Sequence, residues 1–244
     1  MGATMGKNST LLDSLPSGQP LHICLLGLDS AGKTTALYRM KFDQYLNTVP
    51  TIGFNCEKIR GMVGKAKGVS FLVWGEYVGG QEKLRPLWRS YTRCTDGIIF
   101  VIDSVDLERM EEAKMELMRT AKCPENQGTP LLILANKQDL PMAKEPKELE
   151  KVLGLHELLS PISLSVSSGT LSSIDGSSSL PEKSIASSST SSLATSKNSN
   201  QHPAKSWHIQ PTCAITGEGL HEGLDHLHEM IIRKRKMQKQ KKKR

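Results

Sequence analysis

Short apolar runs, each closed by a polar or glycine-bearing loop, alternate along this chain with stretches of helical length and mixed charge. Leu21-His22-Ile23-Cys24-Leu25-Leu26 predicts a buried strand over 21–27, with a helix from about 33 to 43 behind it. An irregular segment runs through Pro50, and strands are expected near 53–60 and 68–74. Gly97-Ile98-Ile99-Phe100-Val101-Ile102-Asp103 is continuously apolar and ends on an acid, as a central parallel strand does. Leu107 to Lys122 reads as a charged helix, Pro130 to Ala135 as another buried strand, and Glu145 to Leu158 as a helix. Trp207 to Cys213 predicts the last strand and Gly219 to Met237 a final amphipathic helix. Six strands interleaved with helices imply an α/β fold: a mostly parallel sheet covered on both faces, with ligands at the carboxyl ends of the strands.

Composition divides the 244 residues. Residues 160–206 hold 19 Ser in 47 positions, with few apolar side chains, and cannot bury enough surface to offset ordering entropy. A disordered Ser-rich insertion is expected there, inside one domain made of 21–159 and 207–237, because a long surface insertion adds little closure entropy. Cys24, Cys56, Cys94, Cys123 and Cys213 show no metal-ligand spacing; Cys24 and Cys213 lie in apolar runs and are expected to pack as small hydrophobes. With no secretory signal and no apolar stretch of membrane-spanning length, a reducing cytosolic or nuclear setting is expected.

The net charge of +7 is uneven, since Arg233 to Arg244 contain nine Lys or Arg and no acid, leaving the first 232 residues at −2. The basic tail, 233–244, suits an anionic membrane surface, a nuclear import receptor or non-specific nucleic acid, or only solubility. At the other end, Met1-Gly2 opens a poor myristoylation pattern, whereas Met5-Gly6-Lys7-Asn8-Ser9-Thr10 fits one fully, which makes Gly6, or else Gly2, the acylation candidate. One myristoyl chain anchors only marginally, so a polybasic second signal is physically sensible. Within the 1–20 segment, Leu11, Leu12 and Leu15 suit a short amphipathic helix that docks on the body or lies in lipid.

The chemistry starts at Gly27-Leu28-Asp29-Ser30-Ala31-Gly32-Lys33-Thr34, a complete G-x-x-x-x-G-K-T phosphate loop between the first strand and helix. Gly27 and Gly32 let the backbone close into a cup of N–H groups, Lys33 brings charge to the β- and γ-phosphates, and the Thr34 hydroxyl suits Mg²⁺. Thr35 continues into the helix, whose N-terminus favours phosphate. Asn136-Lys137-Gln138-Asp139 follows the 131–135 strand directly. A carboxylate there accepts from both the ring N1–H and the exocyclic amine of guanine, a donor pair adenine lacks, while Asn136 and Lys137 brace the loop. Cys213-Ala214-Ile215 ends the last strand and would offer backbone N–H groups to the base oxygen. Thr51 suits Mg²⁺ and the γ-phosphate, and Gly79-Gly80-Gln81 supply an amide for that phosphate and a side chain to orient a hydrolytic water.

In this order, GLDSAGKTT, PTIGFN, VGGQEKLRPLW, NKQD and CAI resemble a small GTPase of the ADP-ribosylation factor family over about 21–159 and 207–237. Arg85-Pro86-Leu87-Trp88-Arg89-Ser90-Tyr91 and the Lys-Gln-Lys-Lys-Lys-Arg ending are similar to its Arf-like 4 subgroup. The resemblance implies a Ras-like P-loop domain, a GTP/GDP switch with Mg²⁺, and slow hydrolysis without an activating partner. It also implies a monomer, peripheral attachment at the plasma membrane, a nuclear pool, and recruitment of effectors such as cytohesin-type exchange factors.

One departure stands out. The family carries Trp-Asp-Val-Gly-Gly-Gln, the Asp holding Mg²⁺ through water; this chain has Trp74-Gly75-Glu76-Tyr77-Val78-Gly79-Gly80-Gln81. Counting back from the glycines puts neutral Tyr77 at the Asp position, with two residues added and Glu76 one place off. Weakened Mg²⁺ binding and impaired hydrolysis are expected, with guanine binding less affected. Two rivals follow: a non-hydrolysing nucleotide-holding scaffold, and a nuclear binding protein directed by its tail.

Overall fold

The structure, a computed structural model, describes residues 19–47, 54–76, 82–159 and 205–242. The acylation candidates Gly2 and Gly6, Leu11, Leu12 and Leu15, and all but the last two residues of the Ser-rich stretch lie outside these described residues.

Six strands form one sheet: β1 (Leu21–Gly27), β2 (Phe54–Arg60), β3 (Ser70–Glu76), β4 (Gly97–Asp103), β5 (Leu131–Asn136) and β6 (Trp207–Pro211), in spatial order β2-β3-β1-β4-β5-β6. All neighbours pair in parallel except β2 and β3, an antiparallel pair whose short connecting turn allows it. The expected mostly parallel sheet is therefore present. The helices are α1 (Lys33–Phe42), α2 (Trp88–Thr92), α3 (Met110–Ala121), α4 (Pro146–Val152) and α5 (Leu220–Lys242).

Apolar side chains of β1, β4 and β5 alternate between two cores, which is why these strands read as unbroken apolar runs. On one face Ile23, Leu25, Phe71, Val73, Ile99 and Val101 pack with Ala36, Leu37 and Met40 of α1 and Leu224, Leu227 and Ile231 of α5. On the other, Cys24, Leu26, Ile98, Phe100 and Ile133 meet Trp88, Leu117, Leu149 and Trp207. Cys24 and Cys213 are buried and neither is in a disulfide.

Two elements depart from the pattern. The expected 145–158 helix divides: α4 stops at Val152, Gly154 takes φ +65°, and a 3-10 turn spans Leu155–Leu159. The division lets Leu149, Leu153 and Leu155 all point into the core, which one straight helix does not permit. The last helix runs past Met237 to Lys242, so the body helix and the start of the basic tail are one element of 23 residues, about 35 Å long at the α-helical rise.

Candidate functional site

The phosphate loop joins the end of β1 to α1. Gly27 sits at φ 144°, and a Cβ there would stand 2.4 Å from the Val101 carbonyl oxygen on β4. Only glycine lets the loop start so close to the central strand. Gly32, at φ 92°, caps α1 without a side chain, and a Cβ would strike Asn136 Nδ2 at 2.3 Å. Ser30 between them also has positive φ, so the turn is tight throughout. Lys33 Nζ donates to the Leu28 carbonyl at 2.6 Å, which folds the lysine across the cup. No acid occupies the first turn of α1, leaving the field of the helix N-terminus uncancelled for an anion.

The second loop leaves β5 at Asn136, buried to 2% exposure. Its Nδ2 donates to the Ala31 carbonyl at 2.9 Å, and its Oδ1 accepts the Ala214 N–H at 2.9 Å. One side chain thus ties the phosphate loop, the loop after β5 and the loop after β6 into a single unit. Lys137 takes φ 68° and donates to Asp103 Oδ2 at 2.5 Å. Gln138 Nε2 donates to Ser104 Oγ at 3.0 Å and the Lys144 carbonyl at 3.1 Å, and its N–H to the Thr212 carbonyl at 3.1 Å. Held on both sides, the loop presents Asp139 to solvent.

The CAI loop behaves differently from the expectation at two atoms. The Ala214 N–H is directed at Asn136, and the Cys213 N–H donates to the Glu218 carbonyl at 3.1 Å. Both amides have internal acceptors, because burial of this turn requires its donors to be paired.

Several bracing residues were not singled out from the sequence. Arg109 donates to Asp29 Oδ2 at 3.1 Å and bonds Asp106, whose carboxylate, followed by that of Asp29, reinforces its charge. Arg85, 7% exposed, lies 2.7 Å from Glu112 and 3.8 Å from Glu116 of α3. It pins the turn after Gln81 to the body. The i, i+4 spacing of Glu112 and Glu116 was a visible signal for a cation partner, though not for which one.

The end of β3 lies beside α1. Alternate residues Phe71 and Val73 face α1, and Gly75 continues that row, beside Leu25 of β1. A Cβ at Gly75 would lie 3.7 Å from Leu37 and 3.8 Å from Leu25, ordinary contacts on the α1 side. The strand keeps its register with β1 through Gly75. Within the described part of β3, the last position facing α1 is Gly75. Thr51, Tyr77, Gly79, Gly80 and Gln81 lie outside the described residues.

A phosphate loop at the end of β1 and an Asn-Lys-x-Asp loop at the end of β5, on this strand order, define a Ras-like small GTPase. The family model described as the ADP-ribosylation factor family matches residues 8–231, and the chain belongs to that family. It is 53% identical over 226 residues to the human ADP-ribosylation factor-like protein 4C, covering 93% of this chain and 94% of that one. It is 50% identical over 243 residues to the mouse ADP-ribosylation factor-like protein 4A, covering 100% and 99%. The bovine protein 4D is 42% identical over the full length of both chains. Among solved structures, the Arl6 BBS3 small GTPase from Trypanosoma brucei with bound nucleotide analogue GppNp matches with TM-score 0.59 and 27% identity, covering 88% of this chain and 99% of that one.

The family implies a guanine nucleotide and Mg²⁺. The described residues fit the nucleotide: a glycine-lined cup whose Cβ space is already filled, a lysine across it, and a braced carboxylate loop. They fit the metal poorly. Among them Thr34 offers a hydroxyl at the start of α1, and the β3 position on the same side is a glycine with no ligand atom.

Proposed function

We propose that this chain binds GTP and GDP at the loop 27–35, selects guanine through Asp139, and acts as a nucleotide-dependent switch at an anionic membrane surface. The observation that carries the reading is the pair of hydrogen bonds made by Asn136, which join the phosphate loop to the two base-side loops. In the bound state the loop amides and the helix N-terminus take the phosphates, and Lys33 exchanges the Leu28 carbonyl for phosphate oxygen. Asp139 accepts the guanine N1–H and amine. A base oxygen shares the Ala214 amide with Asn136 or takes that of Ile215. Gln81 orients water and Thr51 senses the γ-phosphate, ordering the segments that meet an effector, with cytohesin-type exchange factors suggested by the resemblance. Acylation at Gly6 or Gly2, with the basic tail, supplies the attachment, and the tail also suits an import receptor.

A second reading, a nucleotide holder with impaired hydrolysis, is favoured by Gly75. Metal-bridged charge neutralisation is a large part of phosphoryl-transfer catalysis, so loss of a metal-side carboxylate affects turnover before affinity. Calorimetry on the full chain with GDP, GTP, ADP and ATP tests the nucleotide assignment. Guanine nucleotides bind at least a hundredfold tighter than adenine ones, and Asp139→Asn removes most of that preference. Equal affinities for the two bases would refute it. Single-turnover hydrolysis then separates switch from holder.

A further inference from the structure

The turn that follows β6, residues 213–218, is closed on itself. Cys213 N–H donates to the Glu218 carbonyl at 3.1 Å, and Gly217 N–H to the Cys213 carbonyl at 2.8 Å. Thr216 N–H reaches Cys213 Sγ at 3.4 Å, and Glu218 N–H reaches Thr216 Oγ1 at 3.3 Å. A turn whose donors are engaged internally keeps its own shape, and its placement depends on the groups that grip it from outside. Among the described residues, two side chains beyond the turn hydrogen-bond to it. Asn136 at the end of β5 accepts the Ala214 N–H, and Arg39 Nη2 of α1 donates to the Thr216 carbonyl at 2.5 Å.

Arg39 stands in the last turn of α1, where a cation ordinarily complements the helix dipole. Its acceptor, however, is a main-chain carbonyl 177 residues away, so the contact fixes the position of a distant backbone. Gly217 makes room for it: φ is +90°, and a Cβ would stand 2.6 Å from Arg39 Nε and 3.2 Å from Nη2. Nε is shielded from water and has no acceptor of its own, so the guanidinium is held by the Thr216 bond and by packing on Gly217. Arg39 also lies six residues beyond Lys33, about 9 Å along the axis at the α-helical rise. The helix whose N-terminus faces the phosphate cup therefore also gauges the turn on the base side.

We propose that Arg39 is a positioning residue for guanine recognition, setting the 213–218 turn at the height where the amide of Ala214 or Ile215 meets the base oxygen. The proposal rests on the guanine site described above and adds a brace from α1 to the loops that Asn136 joins. Asn136 holds the near side of the turn at Ala214 and Arg39 its far side at Thr216; two grips fix a tilt that one leaves free. Arg39 acts through the turn, not on the nucleotide.

The test measures the affinity of the full chain for four diphosphates. These are GDP, ADP, inosine diphosphate, which lacks the exocyclic amine, and 6-thioguanosine diphosphate, whose sulfur is a larger and weaker acceptor than the base oxygen. Arg39→Met keeps the packed stem, removes the fork and lowers GDP affinity about tenfold, the strength of one charge-assisted hydrogen bond. The thio analogue, which depends less on the turn amide, loses less than about threefold, and the ratio of GDP to inosine diphosphate, set by Asp139, stays within about twofold. Lys41→Met removes a cation from the same turn of α1, one paired with Glu57 instead, and leaves all four affinities unchanged. Gly217→Ala reaches the contact from the other side, driving a Cβ against Nε, and lowers the preference for GDP over the thio analogue as Arg39→Met does. Equal losses of GDP, inosine diphosphate and the thio analogue in Arg39→Met would overturn the positioning role, as would a Gly217→Ala protein with the parent's preference. A parent that does not prefer GDP to ADP would instead refute the guanine site itself, and the proposal with it.

Discussion

Asn136 is the side chain whose removal tests the site most directly. It is 2% exposed and bonds two buried partners, the Ala31 carbonyl and the Ala214 amide, each at 2.9 Å. Asn136→Ala strands both groups away from water, and an unpaired buried polar group costs about 1–3 kcal/mol. Allowing for partial relaxation, a loss of about 2–4 kcal/mol in urea unfolding is expected. Because the stranded groups belong to the phosphate loop and the base-side loop, part of the loss falls on the nucleotide. If about 2 kcal/mol does so, GDP dissociates roughly thirtyfold faster, read by displacement of a fluorescent analogue. Asn136→Asp separates the two bonds, keeping an acceptor for Ala214 while setting a carboxylate against the Ala31 carbonyl, so it should behave no better than alanine. Asn126 is the control. Equally buried, it donates to Thr92 Oγ1 at 3.0 Å and the Thr120 carbonyl at 2.9 Å, away from the nucleotide loops. Asn126→Ala should lower stability comparably and leave GDP dissociation unchanged. An Asn136→Ala protein within about 0.5 kcal/mol of the parent, or GDP dissociation accelerated equally by both substitutions, would refute the bridging role.

Three further outcomes are expected. Gly75→Asp restores a carboxylate on the α1 side of β3 and should make GDP dissociation at least tenfold slower in Mg²⁺ than in EDTA, whereas Tyr77→Asp should not; the reverse ranking would sink the register argument. Arg85→Ala leaves Glu112 and Glu116 unpaired beside the core and should cost about 3 kcal/mol, while Arg85→Met, which keeps the stem packed, should cost less; chemical denaturation of both decides. Burial lowers the pKa of His208, opposed by its bond to Gln210 and aided by His226 and Lys205; burial likewise lowers that of His228, against Asp225 and Glu229. The unfolded chain then binds the extra protons first, so stability should fall as pH drops below the ordinary histidine value and level off beneath the lowered ones. His208→Gln should flatten part of that slope in melting curves taken across acid pH.

Much of this molecule was legible in one dimension. Gly27, Gly32, Lys33 and Asp139 were readable because a phosphate cup and a guanine-selecting carboxylate demand particular residue types at fixed local spacing, and β1, β4 and β5 were readable because parallel burial on two faces leaves apolar runs. Three matters were decided only in three dimensions. Which β3 residue stands last on the α1 side depended on pairing between β3 and β1, which no local count contains; the ladder sets Gly75 beside Leu25. The bracing pairs Arg109–Asp29 and Lys137–Asp103 join residues 80 and 34 apart, and charge alone cannot choose among so many possible partners. The shared pole of entry and exit arises because α5 doubles back along the sheet to the same Asp96 that holds His22. Local chemistry follows from residue order, whereas proximity between distant segments follows from how the sheet is wound.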